Sequence, residues 1–345
     1  MSVKRIGILT GGGDCPGLNP TIRAIVRKAI KENIQVLGFR NGWRGLIQKD
    51  YVELDLNSVS GILPKGGTIL GTSRTNPYKN PDDVEKVKKN FRELKLDGFI
   101  AIGGEDTLGV ASRLYSKEGL NIIGVPKTID NDLSCTDFTF GFDTAVNIAT
   151  EVIDRLHTTA ESHHRIMVVE IMGRHAGWIA TYAGIAGGAD IILIPEEPFD
   201  IEEVCETIKK RHARGKDFSI VVTAEGAKIK GEDLVLKNER RDAFGHVLLG
   251  GIGQWLGSEL EKRTGFETRV AVLGHIQRGG TPSAFDRVLG TRFGVKAVEL
   301  VLKNDFGKMA ALKGNEIVSV PLADAVGTLK TVDMRLYDIA KIFFG

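Results

Sequence analysis

Cysteine is scarce in this 345-residue chain: Cys15, Cys135 and Cys205 are far apart and odd in number. With no Cys-x-x-Cys pair, neither a structural zinc site nor a dithiol redox pair is encoded. Reduced thiols in a cytoplasmic protein are expected. Long apolar runs are missing as well, and none approaches the ~20 residues of a membrane span. Lys4 and Arg5 precede an apolar run of residues 6–9 alone, too short for the core of a secretory leader, so none is expected. Nor is there an excess of charge of one sign. Lys plus Arg number 46 and Asp plus Glu 44, a net charge of +2, which gives no reason to expect a nucleic-acid-binding face. His163, His164 and His175 lack metal-ligand spacing on a helix face. No internal repeat or low-complexity linker interrupts the chain.

What is present is an ordinary globular composition, 42% hydrophobic and 26% charged, with length for about two domains. Glycine is abundant and gathers at the ends of apolar segments, where backbone must come close to something. Strand and helix patterns alternate. Strands are expected over residues 5–10, 34–39, 98–102, 121–124, 165–171, 190–194, 218–223 and 268–273. Helices are expected from about residue 20, and over 82–94, 140–159, 201–214, 249–263 and 283–302, with further ones after residues 104 and 177. This alternation implies α/β architecture: two Rossmann-like three-layer αβα units with mostly parallel sheets and a binding site in the cleft between them.

The junctions carry the chemistry. The first strand runs into Gly11-Gly12-Gly13-Asp14-Cys15-Pro16-Gly17-Leu18-Asn19 and then an amphipathic helix. Backbone N–H groups beside a helix N-terminus suit phosphate, although a tight turn without ligand has the same local signature. No Gly-Lys-Ser/Thr follows, so this is not a P-loop. The dinucleotide fingerprint fails at Pro16, and the next strand ends near Arg40 rather than at a ribose-binding acid. Residues 59–78 contain Lys65-Gly66-Gly67-Thr68 and Leu70-Gly71-Thr72-Ser73-Arg74. They form either a cationic loop that folds over an anion or a plain connection. A second junction, Gly103-Gly104-Glu105-Asp106-Thr107, places two acids where phosphate would bind. The acids imply Mg²⁺ bound with the phosphate, or else they only cap the following helix.

The chemistry itself is expected at Val125-Pro126-Lys127-Thr128-Ile129-Asp130-Asn131-Asp132. Pro126 is expected to stop the preceding strand and send the chain into a polar loop at the carboxyl edge of a parallel sheet, where ligands bind. One carboxylate can take a proton from an attacking hydroxyl. A second can hold a cation, and the lysine can neutralise phosphoryl oxygens. Arg165, Arg174, Arg269 and Arg278 each flank an expected strand and suit a second phosphate, on the acceptor.

Taken together, these motifs, with Met172-Gly173-Arg174-His175-Ala176-Gly177 and Gly274-His275-Ile276-Gln277-Arg278-Gly279-Gly280, resemble the 6-phosphofructokinase family. They follow the family's order over nearly the whole chain. The resemblance implies phosphoryl transfer to the 1-hydroxyl of fructose 6-phosphate in glycolysis, running in either direction, with Mg²⁺. It implies Asp130 as the base, Thr128 and Asp132 positioning sugar and metal, and Arg174 stabilising charge on the transferring group. Ile129, Met172, Gly173, Glu225, His275, Ile276, Gln277 and Arg278 would line the sugar phosphate. Gly12, Arg74, Asp106 and Thr107 would meet the donor. Glu105 stands where the family has a metal-binding aspartate. Arg165 and Arg269 match arginines contributed from a neighbouring subunit, which implies a homodimer or homotetramer. The implied domains are residues 1–140 plus about 277–325 for the donor and 141–276 plus about 326–345 for fructose 6-phosphate.

Two departures bear on the donor. Asp106 and Lys127 replace glycines usual in ATP users, and both match the pyrophosphate-dependent branch of the family. An acid in the space of the ATP α-phosphate repels it. At ~4 Å and an effective dielectric near 20 the penalty is about 4 kcal/mol, roughly a thousandfold in affinity. Pyrophosphate lacks that phosphate, and Lys127 adds compensating positive charge. An ATP-dependent enzyme is the alternative, and a non-catalytic sugar-phosphate sensor a remote one. Arg23 and Arg27 suit an effector site, but Leu56 and His157 fall where further arginines would align, so weak or absent nucleotide regulation is expected.

Overall fold

The computed structural model describes residues 3–231 and 251–345. They divide into two compact units: Met1–Ile129, Leu133–Thr144 and Arg278–Leu329, and Asp130–Asp132, Ala145–Gln277 and Lys330–Gly345.

The first unit opens with β1 (Arg5–Thr10), α1 (Leu18–Lys31), β2 (Gln35–Phe39), α2 (Trp43–Gln48) and β3 (Tyr51–Leu54). Then come α3 (Pro81–Glu93), β4 (Gly98–Gly103), α4 (Glu105–Glu118), β5 (Ile122–Thr128) and β6 (Phe140–Gly141). The chain next builds α5 (Phe142–His163), β7 (Ile166–Ile171), α6 (Trp178–Ala186), β8 (Ile191–Leu193), α7 (Ile201–Ala213) and β9 (Ser219–Ala224). It continues with α8 (Ile252–Thr264), β10 (Thr268–Val272), α9 (Ala284–Leu302), β11 (Lys308–Lys313), β12 (Glu316–Pro321), α10 (Leu322–Gly327) and α11 (Met334–Lys341). The helix expected from residue 249 begins outside the described residues, and its described part is α8.

The first sheet has the order β12-β11-β5-β4-β1-β2-β3, with β6 beside β5. Its interior pairs are parallel, and β3 and β12 add antiparallel edges. Alternation across the pleat sorts the side chains. Leu9, Phe39, Phe99 and Ala101 join one cluster with Trp43, Val87, Leu108 and Leu114 from α2, α3 and α4. Trp43 stacks on Phe99 at 5.9 Å, and Phe39 lies 5.4 Å from the same ring. Gly7 makes room for this aromatic centre, because a Cβ there would sit 2.5 Å from the Phe99 ring. After β1 the chain goes one way to β2, whereas β4 lies on the other side of β1. That reversal is the point at which an open parallel sheet offers a crevice at its carboxyl edge.

The second sheet, β10-β7-β9-β8, is parallel throughout. Ile166, Val168, Val221 and Leu193 pack there against Val204 and Ile208 of α7 and Leu256 and Leu260 of α8.

Two expectations need correction. β5 does not stop before Pro126; it runs through Pro126 and Lys127 to Thr128. Pro126 is tolerated because it pairs with Gly103, the last residue of β4, where the ladder ends and little is lost with the missing N–H. Lys127 then pairs with Phe140 of β6, so the expected helix start at residue 140 is a short strand instead.

At the start of α9, Asp286 is fully buried. Its Oδ2 accepts the Thr144 N–H at 2.8 Å and the Thr144 hydroxyl at 2.5 Å, while burial raises its pKa from 3.8 to about 6. A carboxyl raised in the folded state gives stability that is complete below pH ~4 and is lost as pH rises through about 6. Asp286→Asn removes that loss. The melting-temperature difference, variant minus wild type, is therefore expected to grow between pH 4 and 7. Thermal scans across that range check it, and a difference independent of pH would contradict the argument.

Candidate active site

The glycine-rich turn of the first unit follows from its backbone. Gly12 has φ +78° and Gly17 φ +110°, values that glycine reaches without strain. The turn lies against three side chains. Thr72 Oγ1 donates to the Gly12 carbonyl at 2.5 Å, Lys127 Nζ to the Gly13 carbonyl at 2.5 Å, and Arg278 Nη1 to the Asp14 carbonyl at 3.3 Å. Neighbouring side chains approach two of the glycines closely. A Cβ on Gly11 would lie 2.6 Å from Thr107 Oγ1, and one on Gly13 2.5 Å from Arg278 Nη1. Gly12, Thr107, Lys127 and Arg278 are thus brought together. Arg74 is exposed and follows Ser73, whose carbonyl accepts the Gly12 N–H at 3.4 Å.

Glu105 and Asp106 occupy the first turn of α4, where the helix dipole favours carboxylates. Glu105 is exposed and Asp106 half-buried. Lys127 is 3% exposed, so its charge is held in the unit rather than in a solvent loop. Thr128 closes β5, with its carbonyl accepting the Thr139 hydroxyl at 2.7 Å, and Ile129 is fully buried. Among the described residues no three His, Cys, Asp or Glu side chains converge as a metal-holding group.

In the second unit, Asn131 has φ +51° and is buried between Asp130 and Asp132. The Asp132 carbonyl accepts the Lys330 N–H at 2.9 Å. Arg174, Glu225 and His275 follow the carboxyl ends of β7, β9 and β10, which are adjacent in the sheet. Gly173 and Gly226 knit two of these ends, with Gly226 N–H donating to Gly173 O at 3.1 Å. A Cβ on Gly226 would run into the Arg174 carbonyl. Met172 is half-buried, His275 and Ile276 are exposed, and Gln277 is buried with Nε2 donating to Gly274 O at 3.2 Å. The Glu225 pKa is raised from 4.5 to about 7, first by burial, then by the charge of Asp130, with Arg174 opposing. Asp130, Arg174 and Glu225 therefore share one electrostatic environment.

Arg165 and Arg269 lie elsewhere. They stand at the amino ends of β7 and β10, a strand length of roughly 20 Å from the carboxyl edge. Both pair with Glu267, Arg165 at 2.8 Å. Thr72, which holds the Gly12 carbonyl, is not among the residues expected from sequence to form the site. Its signal, a hydroxyl inside a glycine-rich segment, is too common to single out.

A family model described as phosphofructokinase matches residues 5–301. The pyrophosphate--fructose 6-phosphate 1-phosphotransferase of Streptomyces coelicolor is 60% identical over 99% of this chain and 100% of its own length. The ATP-dependent 6-phosphofructokinase 3 of the same organism is 56% identical over 96% of this chain and 98% of its own. Pichia pastoris phosphofructokinase, solved in the T-state, superposes with a TM-score of 0.83 at 36% identity; the match covers 99% of this chain and 39% of that one. With full-length relatives of this similarity and a family match over most of its residues, the chain belongs to the phosphofructokinase family.

Proposed function

We propose that the protein is a pyrophosphate-dependent 6-phosphofructokinase: it transfers a phosphoryl group from pyrophosphate to the 1-hydroxyl of fructose 6-phosphate, giving fructose 1,6-bisphosphate and phosphate. Overall similarity does not separate the donors, since relatives at 60% and 56% identity carry pyrophosphate and ATP in their names respectively. The observation that carries the reading is the pair Asp106 and Lys127. One is an acid in the first turn of α4, the other a buried ammonium against the Gly12–Gly13 turn. An acid beyond a two-phosphate donor repels a third phosphate, and the ammonium favours a compact, highly charged anion.

In this reading the unit containing β1 and β4 holds the donor and the unit containing β7 and β9 the sugar phosphate. Asp130 accepts the proton of the 1-hydroxyl, and Asp132 helps position the reacting groups. Arg174 offsets charge on the phosphoryl group in flight. Glu225 and His275 face the sugar, and Gln277 orders the Gly274–Arg278 segment around it. Mg²⁺, when bound, supplies positive charge to the phosphate oxygens. The residues fit such an ion, because Mg²⁺ at phosphate sites takes one or two carboxylates plus substrate oxygens rather than a protein cage. Glu105 would hold it. Arg165 and Arg269, set at the amino edge, would serve the acceptor phosphate of a neighbouring subunit in a homodimer or homotetramer. No described helix is long and apolar enough to cross a membrane, and the proposed setting is cytoplasmic.

Coupled assays with each donor test the reading. Turnover is expected with pyrophosphate and little or none with ATP; the reverse would reject the donor assignment. Replacing Asp106→Gly together with Lys127→Gly should abolish most pyrophosphate use and raise ATP use above the wild-type level.

A second expectation concerns pH. Glu225 is largely neutral below about pH 7 and ionised above it. An ionised carboxylate repels an anionic sugar phosphate, so KM for fructose 6-phosphate should rise as pH passes from 6 to 8. Glu225→Gln is neutral throughout and should remove that part of the rise. Initial-rate titrations of both proteins check this, and parallel pH profiles would remove Glu225 from the sugar site.

A further inference from the structure

We propose that Thr72 is a positioning residue for the donor phosphate, acting through the carbonyl of Gly12. The inference rests on the reading of the first unit as the donor site. A trans peptide is planar, with its C=O and N–H pointing to opposite sides. Thr72 Oγ1 holds the Gly12 carbonyl at 2.5 Å, which turns the Gly13 N–H the other way. Lys127 and Arg278 do the same for the next two peptides through the carbonyls of Gly13 and Asp14. The three consecutive peptides whose N–H groups belong to Gly13, Asp14 and Cys15 are thus each held in a fixed orientation by a side chain. Backbone donors held ahead of time are what an anion needs, because their ordering cost falls on folding rather than on binding.

Thr72 is itself held in place. Its neighbour Gly71, at φ +66°, has its carbonyl bonded by the buried Thr10 hydroxyl at 2.8 Å. Asn41 N–H donates to Leu70 O at 2.8 Å, and Ser73 Oγ returns a bond to Asn41 O at 2.6 Å. Further back, the buried side chain of Asn19 donates to the carbonyls of Lys65 and Gly66 at 3.1 Å each and accepts the Ile69 N–H at 2.9 Å. The segment from Lys65 to Ser73 is fixed to β1 and α1, and Thr72 carries that order to the turn. Lys127 and Arg278 are cations whose loss would also change the local potential. Thr72 is neutral, so its contribution to orientation can be measured apart from charge.

The test is steady-state kinetics on Thr72→Val, which keeps shape and loses the donor. KM for pyrophosphate is expected to rise about fivefold to tenfold as the turn loses its fixed orientation, with KM for fructose 6-phosphate unchanged and the melting temperature lowered by no more than about 3 °C, the worth of one hydrogen bond to folding. Thr72→Ser, which keeps the hydroxyl, should return KM for pyrophosphate to within about twofold of wild type. An unchanged KM for pyrophosphate in Thr72→Val overturns the proposal. So does an equal rise in both KM values, which marks a general structural defect, or a Thr72→Ser protein as impaired as Thr72→Val. Should Thr72→Val fail to fold, Thr72→Ala removes the same donor without crowding and is read in the same way. If the wild type proves to use ATP, the identical series is run against ATP. A selective rise in KM for ATP then supports the role of Thr72 although the choice of pyrophosphate has failed.

Discussion

A peptide cannot turn its carbonyl to one side without turning its N–H to the other, and the glycine-rich turn of the first unit is governed by that constraint. Gly12, Gly13 and Asp14 give up their carbonyls to Thr72, Lys127 and Arg278, donors from three distant parts of the sequence. The sheet brings the turn, Thr107 and Lys127 together. β1 and β4 are neighbours at the reversal of strand order, and β5 adjoins β4, so the loops that follow all three emerge side by side. Glycine has a use here that can be located: a Cβ at Gly11 would run into Thr107, and one at Gly13 would push the Arg278 guanidinium from its place at the turn. Sequence composition, topology and the aim of the backbone are here one argument.

Much of this was legible in the sequence, and the parts that were not share a physical reason. β1, β4, β7, α3, α7 and α9 fall where apolar periodicity places them, because each buries a face against its own sheet and the period survives in the residue order. Tyr51–Leu54 and the hairpin Lys308–Lys313 and Glu316–Pro321 were not read. β3 and β12 are partly solvated sheet edges, and β3 is too short to show a period; β11, buried between β12 and β5, was missed as well. The carboxyl-edge group Arg174, Glu225 and His275 came from motifs that each end a strand. The hydroxyl of Thr72 could not be reached in this way, since its partner carbonyl lies 60 residues earlier and nothing local distinguishes it from the other polar residues of its loop.

Sheet polarity also separates the arginines, which look alike in sequence. Arg165 and Arg174 flank the same strand, β7, yet stand at opposite edges of the sheet. Arg174 shares its surroundings with Asp130 and Glu225, whereas Arg165 shares Glu267 with Arg269. An arginine beside a strand says that an anion is near. Within this chain the nearby acid differs with the edge: Glu267 at the amino edge, and Asp130 and Glu225 at the carboxyl edge.

The placement of Lys127 depends on a local rule that the chain breaks. Had Pro126 ended β5, Lys127 would have entered a solvated loop as one more surface cation, where water would screen it. The strand instead continues for two residues, at a point where the ladder to β4 is already finished and a missing N–H is tolerated. Lys127 is thereby drawn into the unit at 3% exposure. A buried ammonium must find acceptors, and one of these is the Gly13 carbonyl. The same placement that satisfies the lysine orients the turn and concentrates positive potential beside it. A glycine at this position would supply neither. The proposed difference between a pyrophosphate user and an ATP user is therefore one of charge and backbone aim on a shared scaffold, in keeping with the nearly equal similarity of this chain to proteins of both names, 60% and 56% identical.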